Sequence, residues 1–439
     1  AKTELLKYLD DVNKAQYVRA RAFRDTVIAG VGWIESGIRT DPTEEALYSR
    51  YENWRNIWYD HLSIEPDMSD ARFIFRAKWI DLDIAQSMFP DRAAALEMEA
   101  ENVSQLFPWM PDDPIINRAN APQGTVSNVD EAMTDVLYRR KRVRLIECWY
   151  KELAQVKVIK GDGPINGAIF TEEDPYIQHM IEGGYVSVFD AIKTVMRCAI
   201  FCGSTFLQDQ ISPYRHQAFP FTPIWCYRRG KDNAPYGVIR DLRDVQTDLN
   251  KRRSKALYLL STNKIIADEN ATNDWQALYD EANRPDGIIK KKPGTEVRIE
   301  QGAALATFHV ELAQEDAQMI QDIAGVTDEN LGRDTNADSG KAIRARQDQG
   351  MTSNNFVFDN FYMGIQIEGE KELSLIEQSY TEPKTIRIIG GEMGRLTFAD
   401  INKKSEAGVI NDITATKADF IVSKQDYRES IRQSLFETM

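Results

Sequence analysis

The sequence predicts an α+β chain assembled from several regions. Three observations carry this. Apolar residues recur at helical spacing in long segments near the start, in the middle and towards the end. Short alternating segments stand between them and gather between residues 142 and 209, the pattern of strands. A chain of 439 residues is long for one compact core, so two to four structural regions are expected.

Residues 1–28 have helical spacing, and "AGVGWIESGIRT" (29–40) switches to alternation behind two glycines. "DARFIFRAKW" (70–79) reads as another strand. Residues 81–107 return to helix with a break at Pro90, where a backbone donor is lost. "PWMPDDPIINRANAPQGT" (108–125) holds four prolines and little periodicity, which predicts a loop or linker. In the β-rich block, "RVRLIECWY" (142–150) alternates, "VKVI" (156–159) is its expected hairpin partner, and "VMRCAIFCGSTFLQD" (195–209) reads as one long strand. After Pro235 and Gly237 the pattern is helical to about residue 262, a rod of roughly 37 Å. "KIIAD" (264–268), "GIIKKKPG" (287–294) and "EVRIE" (296–300) read as short strands around a helical turn at "NDWQALYDEA" (273–282). Residues 308–324 are helical, with Ala313, Ala317, Ile320 and Ala324 forming a stripe that lets another helix approach closely. "GVTDENLGRDTNADSGK" (325–341) is a loop, followed by a long helical pattern from about 342 to 380. A short strand region (384–399) and a strand–helix pair (418–439) complete the chain.

Composition removes several classes. With 42% hydrophobic and 28% charged residues, burial can offset chain entropy, which argues against wholesale disorder. No apolar run is long enough for a membrane span, and the polar, amphipathic N-terminus is not a signal peptide. Cys148, Cys198, Cys202 and Cys226 are too few for a disulfide framework and suit a reducing compartment. The chain begins at Ala1 in a helical pattern and ends in one. Ser423 and Asp426 read as a capping box, with Tyr427, Ile431 and Leu435 following. A piece of a longer chain is the expectation.

The search for chemistry is mostly negative. "ADSGKA" (337–342) lacks the first glycine and the Ser/Thr of a phosphate loop, where Thr335 and Ala342 stand. His61, His179, His216 and His309 are scattered. Cys198 and Cys202 on a strand would lie roughly 13 Å apart, too far for one zinc. No metal or cofactor is expected. The acidic clusters Asp10–Asp11, Asp112–Asp113 and Glu172–Asp174 read as solvated loops.

The basic features say more. Residues 228–264 hold ten Lys or Arg against four Asp, a net +6 in a chain of −14. Other clusters are 139–142 and 290–292. The central helix carries an apolar stripe at Val238, Leu242, Val245, Leu249, Ala256 and Leu260. Its skipped position falls at Arg252 or Arg253. One arginine therefore points to the packed seam and needs an acidic partner, on a neighbouring element or a neighbouring subunit.

A basic helix, a small strand-rich module, a returning helix, a Gly/Asn/Asp loop and a long helix follow one another. This order resembles the portal proteins of bacteriophages, the head-to-tail connectors, especially those of short-tailed phages. The matching segments are "AGVGWIESGI", "SDARFIFRAKW", "YGVIRDLRDVQTDLNKRRSKALYLLSTNKII", "AGVTDENLGRDTNADSGKAIRARQDQG" and "FIVSKQDYRESIRQSLFE". The resemblance covers roughly residues 20–435. It implies an α/β wing (1–236), a first stem helix (237–263), a clip (264–307) and a second stem helix (308–325). A tunnel loop (326–341), a long helix with wing strands (342–417) and the start of a crown (418–439) would follow.

It further implies a non-enzymatic ring, typically of twelve subunits, at one capsid vertex of the virion, assembled in the host cytoplasm. Double-stranded DNA would pass through it during packaging and ejection, and terminase, tail adaptor, scaffold and capsid proteins would dock on it. Arg333, Lys341, Arg344 and Arg346 are then the channel candidates. Arg243, Lys251, Arg252, Arg253 and Lys255 would serve the lumen or inter-subunit pairs. Trp275, Tyr279 and Lys290, Lys291 and Lys292 would meet partners at the clip. An acidic protein with local cationic rings suits this task, because each neutralised phosphate adds affinity that would hold the DNA back. A nuclease-like enzyme and another phage structural or scaffold protein without a channel stand as alternatives.

Overall fold

The computed structural model describes residues 2–39, 41, 43–106, 142–161, 167, 169–170, 178–179, 181, 183–261, 263–282, 284, 286–301, 303–325, 355–380, 384–388, 397–402, 404–405, 408–409, 420 and 422. The protein is mixed α and β, as its patterning predicts. It divides into two compact units, one of Ala1–Tyr236 with Asp359–Met439 and one of Gly237–Phe358.

In the first unit the expected N-terminal helix is two helices, α1 (Lys2–Val12) and α2 (Ala15–Ala29). The chain breaks at Lys14, which takes a left-handed φ of 53°. α1 buries Leu5 and Leu9. α2 buries the small residues Ala15, Ala22 and Thr26, which let it lie close to a sheet. α2 stops at Gly30, whose φ of 97° favours glycine and whose N–H bonds the Thr26 carbonyl. A side chain there would also strike the Tyr236 backbone.

Strands β1 (Val31–Ile38) and β2 (Leu47–Glu52) pair antiparallel, β8 (Phe221–Trp225) joins the other edge of β1, and the short β9 (Tyr227–Arg228) and β10 (Pro235–Tyr236) pair with each other. β1 is buried along seven of its eight residues, so both faces of this small sheet are covered. The second sheet is an antiparallel meander of β3 (Ile57–Tyr59), β4 (Phe73–Asp81), β5 (Arg142–Gly161), β6 (Val186–Cys202) and β7 (Thr205–Ile211).

Two readings are corrected here. "VKVI" is not a hairpin partner of 142–150 but the far end of the same 20-residue strand β5, whose partner is β6. Residues 195–209 are not one strand. Gly203, with φ 56°, and Ser204 form a two-residue turn between β6 and β7, tied by the Ser204 N–H to the Glu99 carboxylate at 3.2 Å. The turn residues lie inside an otherwise apolar run, which hides them from periodicity. Residues 81–107 behave as expected. α3 (Leu82–Met88) yields to a short turn at Pro90–Arg92, and α4 (Ala93–Leu106) follows.

Trp33, Ile74, Trp149, Phe219, Phe221 and Trp225 form the main core with Leu375 and Ile376. A charged cluster is buried beside it. Arg76 lies 2.6 Å from Glu35, 3.6 Å from Glu52 and 2.6 Å from Glu147, and its guanidinium sits over the Phe221 ring. Lys78 reaches Glu52 at 2.8 Å.

In the second unit α5 (Ile239–Ser261) leads to β11 (Asn263–Ala267), α6 (Trp275–Ala282), β12 (Val297–Gln301) and α7 (Ala303–Ala324). The antiparallel pairing of Asn263 with Gln301 returns the chain, so α7 starts where α5 ends. The returning helix begins at Ala303, five residues before the predicted 308. Residues 287–294, expected as a strand, form none. Ile288 donates to the Glu281 side chain at 3.2 Å and Lys292 to the Ala271 carbonyl at 3.1 Å, and Gly294 turns the chain with φ 84°. Those donors are spent before a ladder can use them.

The predicted long helix is described as α8 (Asn355–Ser379), and β13 (Lys384–Ile388) pairs with β14 (Thr397–Ile401). The linker 108–125, the loop 325–341 beyond Gly325, the helix start at 342–354 and the strand–helix pair at 418–439, apart from Phe420 and Val422, lie outside the described residues.

Candidate functional site

The basic helix α5 is the feature the sequence singles out, and its burial pattern assigns its faces. Val238, Leu242, Val245, Leu249, Arg252, Ala256 and Leu259 fall on the side packed against α7, at steps of three and four residues. The sequence stripe ended at Leu260; the packed residue is Leu259, and Leu260 is exposed. With Leu257, Leu259 and Leu260 close together, apolar content cannot choose between them.

Arg252 is the arginine on the seam. Its guanidinium lies 2.6 Å from Asp248 one turn back and 3.0 Å from Asp316 on α7. Hydrogen bonding to Asp248, then the charges of both aspartates, raises its already high pKa. The acidic partner the spacing called for is therefore on a neighbouring element of the same chain. Asp316 could have been proposed from sequence only by knowing how α7 lies on α5.

Lys251, Arg253 and Lys255 are exposed, and no ion pair to them occurs among the described residues. Lys251 and Lys255 share a shallow groove with Thr247, Asn250, Ser254 and Tyr258, all at helical spacing. Arg243 is exposed and has only its neighbour Asp244 at 3.4 Å. The two helices differ in charge. α5 holds six Lys or Arg against three Asp, net +3, and α7 holds four acidic residues and no Lys or Arg, net −4.

The module between them presents a defined surface. The Asp274 side chain accepts from the N–H groups of Gln276 and Ala277 at 3.1 Å, which starts α6. α6 buries Leu278 and Ala282 and turns Trp275 and Tyr279, one helical turn apart, to solvent. Ile288 is 75% exposed, and Lys290, Lys291 and Lys292 are exposed after it. Arg333, Lys341, Arg344 and Arg346 lie outside the described residues.

The cysteines behave as packing groups. Burial pushes the Cys198 thiol up to about 12 and those of Cys148 and Cys202 up to about 11. His216 is held neutral, its pKa lowered to about 3 by burial and then by Lys371. Among the described residues, no group of three His, Cys, Asp or Glu is placed to hold a metal. No helix there is long and apolar enough to cross a membrane.

Sequence reasoning missed a second buried charge cluster, on α8. There Glu368 accepts from Arg19 at 2.8 Å and from Ser49 at 2.8 Å, and Lys371 donates to the Phe221 carbonyl at 2.9 Å. Its one signal is that Glu368, Lys371 and Glu372 share the apolar helical face of Ile365, Leu375 and Ile376.

The second unit is thus a two-helix rod closed by a small αβ module, with cations along one helix. A model of the phage P22-like portal protein family matches residues 1–439, the whole chain. The chain belongs to that family. A portal protein of Helicobacter pylori bacteriophage KHP30 is 23% identical over 227 residues, which is 51% of this chain and 37% of that relative. The chain thus matches little more than a third of the curated relative's length. As a phage portal-family protein it is a viral structural component.

Proposed function

We propose that the chain is one subunit of a ring, of twelve copies, that forms the channel for double-stranded DNA at one capsid vertex. The observation that carries this is the α5–α7 pair in a member of a portal family: two long helices of opposite net charge, closed by a small module. Residues 237–261 and 303–325 serve as the stem, and 263–301 as the clip. Arg333, Lys341, Arg344 and Arg346, outside the described residues, are the channel candidates that the family resemblance implies.

A two-helix unit has little interior of its own. Leu257, Leu260, Leu305 and Phe308 are each more than 60% exposed. Such residues need cover, and a ring supplies it by setting the +3 helix of one copy beside the −4 helix of the next. Arg252 is satisfied inside its own chain, which leaves Arg253 as the arginine for the inter-subunit contact. Lys251 and Lys255 are the cations left for weak contact with phosphates, and Arg243 adds to the same field. Trp275, Tyr279 and Ile288, bordered by Lys290, Lys291 and Lys292, form an apolar and basic surface for an acidic partner such as a terminase or tail adaptor protein. Scaffold and capsid proteins meet the remaining outer surface. The protein performs no chemistry in this account, and the ring is assembled in the host cytoplasm.

Native mass spectrometry of the purified protein tests the reading. A closed multimer of one copy number is expected. A monomer, or a ladder of open chains at all concentrations, would overturn it.

A further inference from the structure

In the first unit, three arginines share one surface. Arg21 and Arg24 are three residues apart on α2 and so neighbours on one helical face. Arg55 lies in the single turn Trp54–Asn56 that follows β2. All three are exposed, and none has an ion pair among the described residues. Arg21 and Arg55 are held by aromatic rings instead, and Arg24 lies beside them on the same helical face. The Arg21 guanidinium lies 4.2 Å from the centre of the Tyr51 ring and 5.9 Å from that of Tyr17, and Arg55 lies 5.3 Å from Trp54.

Asp25 joins the pieces. It accepts the Tyr51 hydroxyl at 2.6 Å, bonds the Trp54 backbone, and feels both Arg21 and Arg24. Burial pushes its carboxyl up, while the hydrogen bonds from Tyr51 and Trp54 and the two arginines pull it down. By contrast Arg19, Arg76 and Arg197 are matched by carboxylates. A guanidinium lying on a ring keeps its N–H edges free, in the planar fork that grips an oxyanion through two bonds.

We propose that this surface of α2, β2 and the Trp54 turn binds the phosphodiester backbone of nucleic acid, without regard to base sequence. It is separate from the cations of the helix pair and does not rest on the ring reading. The Arg21 guanidinium covers the Tyr51 face and Arg55 lies on Trp54, so the groups the surface offers outward are mainly cationic and the contact is to phosphate. An acidic polypeptide would draw its binding energy from buried apolar anchors, which Tyr51 and Trp54 are poorly placed to provide.

The test is the salt dependence of duplex binding, followed by fluorescence anisotropy with the full chain between about 50 and about 200 mM salt. Each neutralised phosphate contributes about 0.9 to the slope of log affinity against log salt. The triple variant Arg21→Gln, Arg24→Gln, Arg55→Gln should lose about 2 to 3 from that slope. Arg21→Lys, Arg24→Lys, Arg55→Lys keeps the charge and should hold the slope near wild type. An unchanged slope in the glutamine variant would overturn the proposal. So would a lysine variant that behaves like the glutamine one, or wild-type binding that polyglutamate displaces more readily than duplex DNA.

Discussion

Arg76 answers three carboxylates at once, and Lys78 completes the set. Removing it would leave Glu35, Glu52 and Glu147 buried against one lysine. Arg76→Ala should therefore cost about 3 to 5 kcal/mol, read as a fall in the urea midpoint; a loss below about 1 kcal/mol would contradict the cluster's role. Lys371 makes the opposite kind of prediction. Burial lowers its pKa to about 7, below the value an unfolded chain would give it. Between pH 7 and the unfolded pKa the unfolded state holds more protons, so stability rises with pH there. From pH 7 to 9 the wild type should gain roughly 2 kcal/mol that Lys371→Met does not gain, measured by denaturant titration at both pH values. Neither residue announces this in the sequence. "FIFRAKW" reads as a strand with polar residues on its open face, and only the packing of the three-stranded sheet, with Glu35 on β1 and Glu52 on β2, shows that this face is closed by carboxylates.

At the scale of elements, α5 was legible to within one residue because its apolar spacing and its skipped position both survive packing. The spacing leaves the seam position to Arg252 or Arg253, and the structure puts Arg252 there with Asp316 across from it. That pair is partly exposed and offsets its own desolvation only in part. Arg252→Ala should lower the thermal unfolding midpoint only slightly, while Arg253→Ala should leave it unchanged. The β-rich block was less legible. The turn at Gly203–Ser204 and the continuity of β5 depend on pairing between strands, and a single strand's alternation does not record its partner. The region 287–294 reads as a strand by composition, yet its backbone donors are claimed by Glu281 and Ala271.

For the whole molecule, the −14 charge, the basic helix and the portal family fit one account: a protein that guides DNA without gripping it. Within it, Arg253→Glu should abolish the multimer in native mass spectra while circular dichroism stays that of the folded chain. Lys251→Glu with Lys255→Glu should leave the multimer intact and weaken its retention of duplex DNA at low salt. The most direct measurement is electron microscopy of the purified wild-type protein. The account predicts closed rings with a central hole wide enough for duplex DNA. Filaments, closed shells or single chains would contradict it.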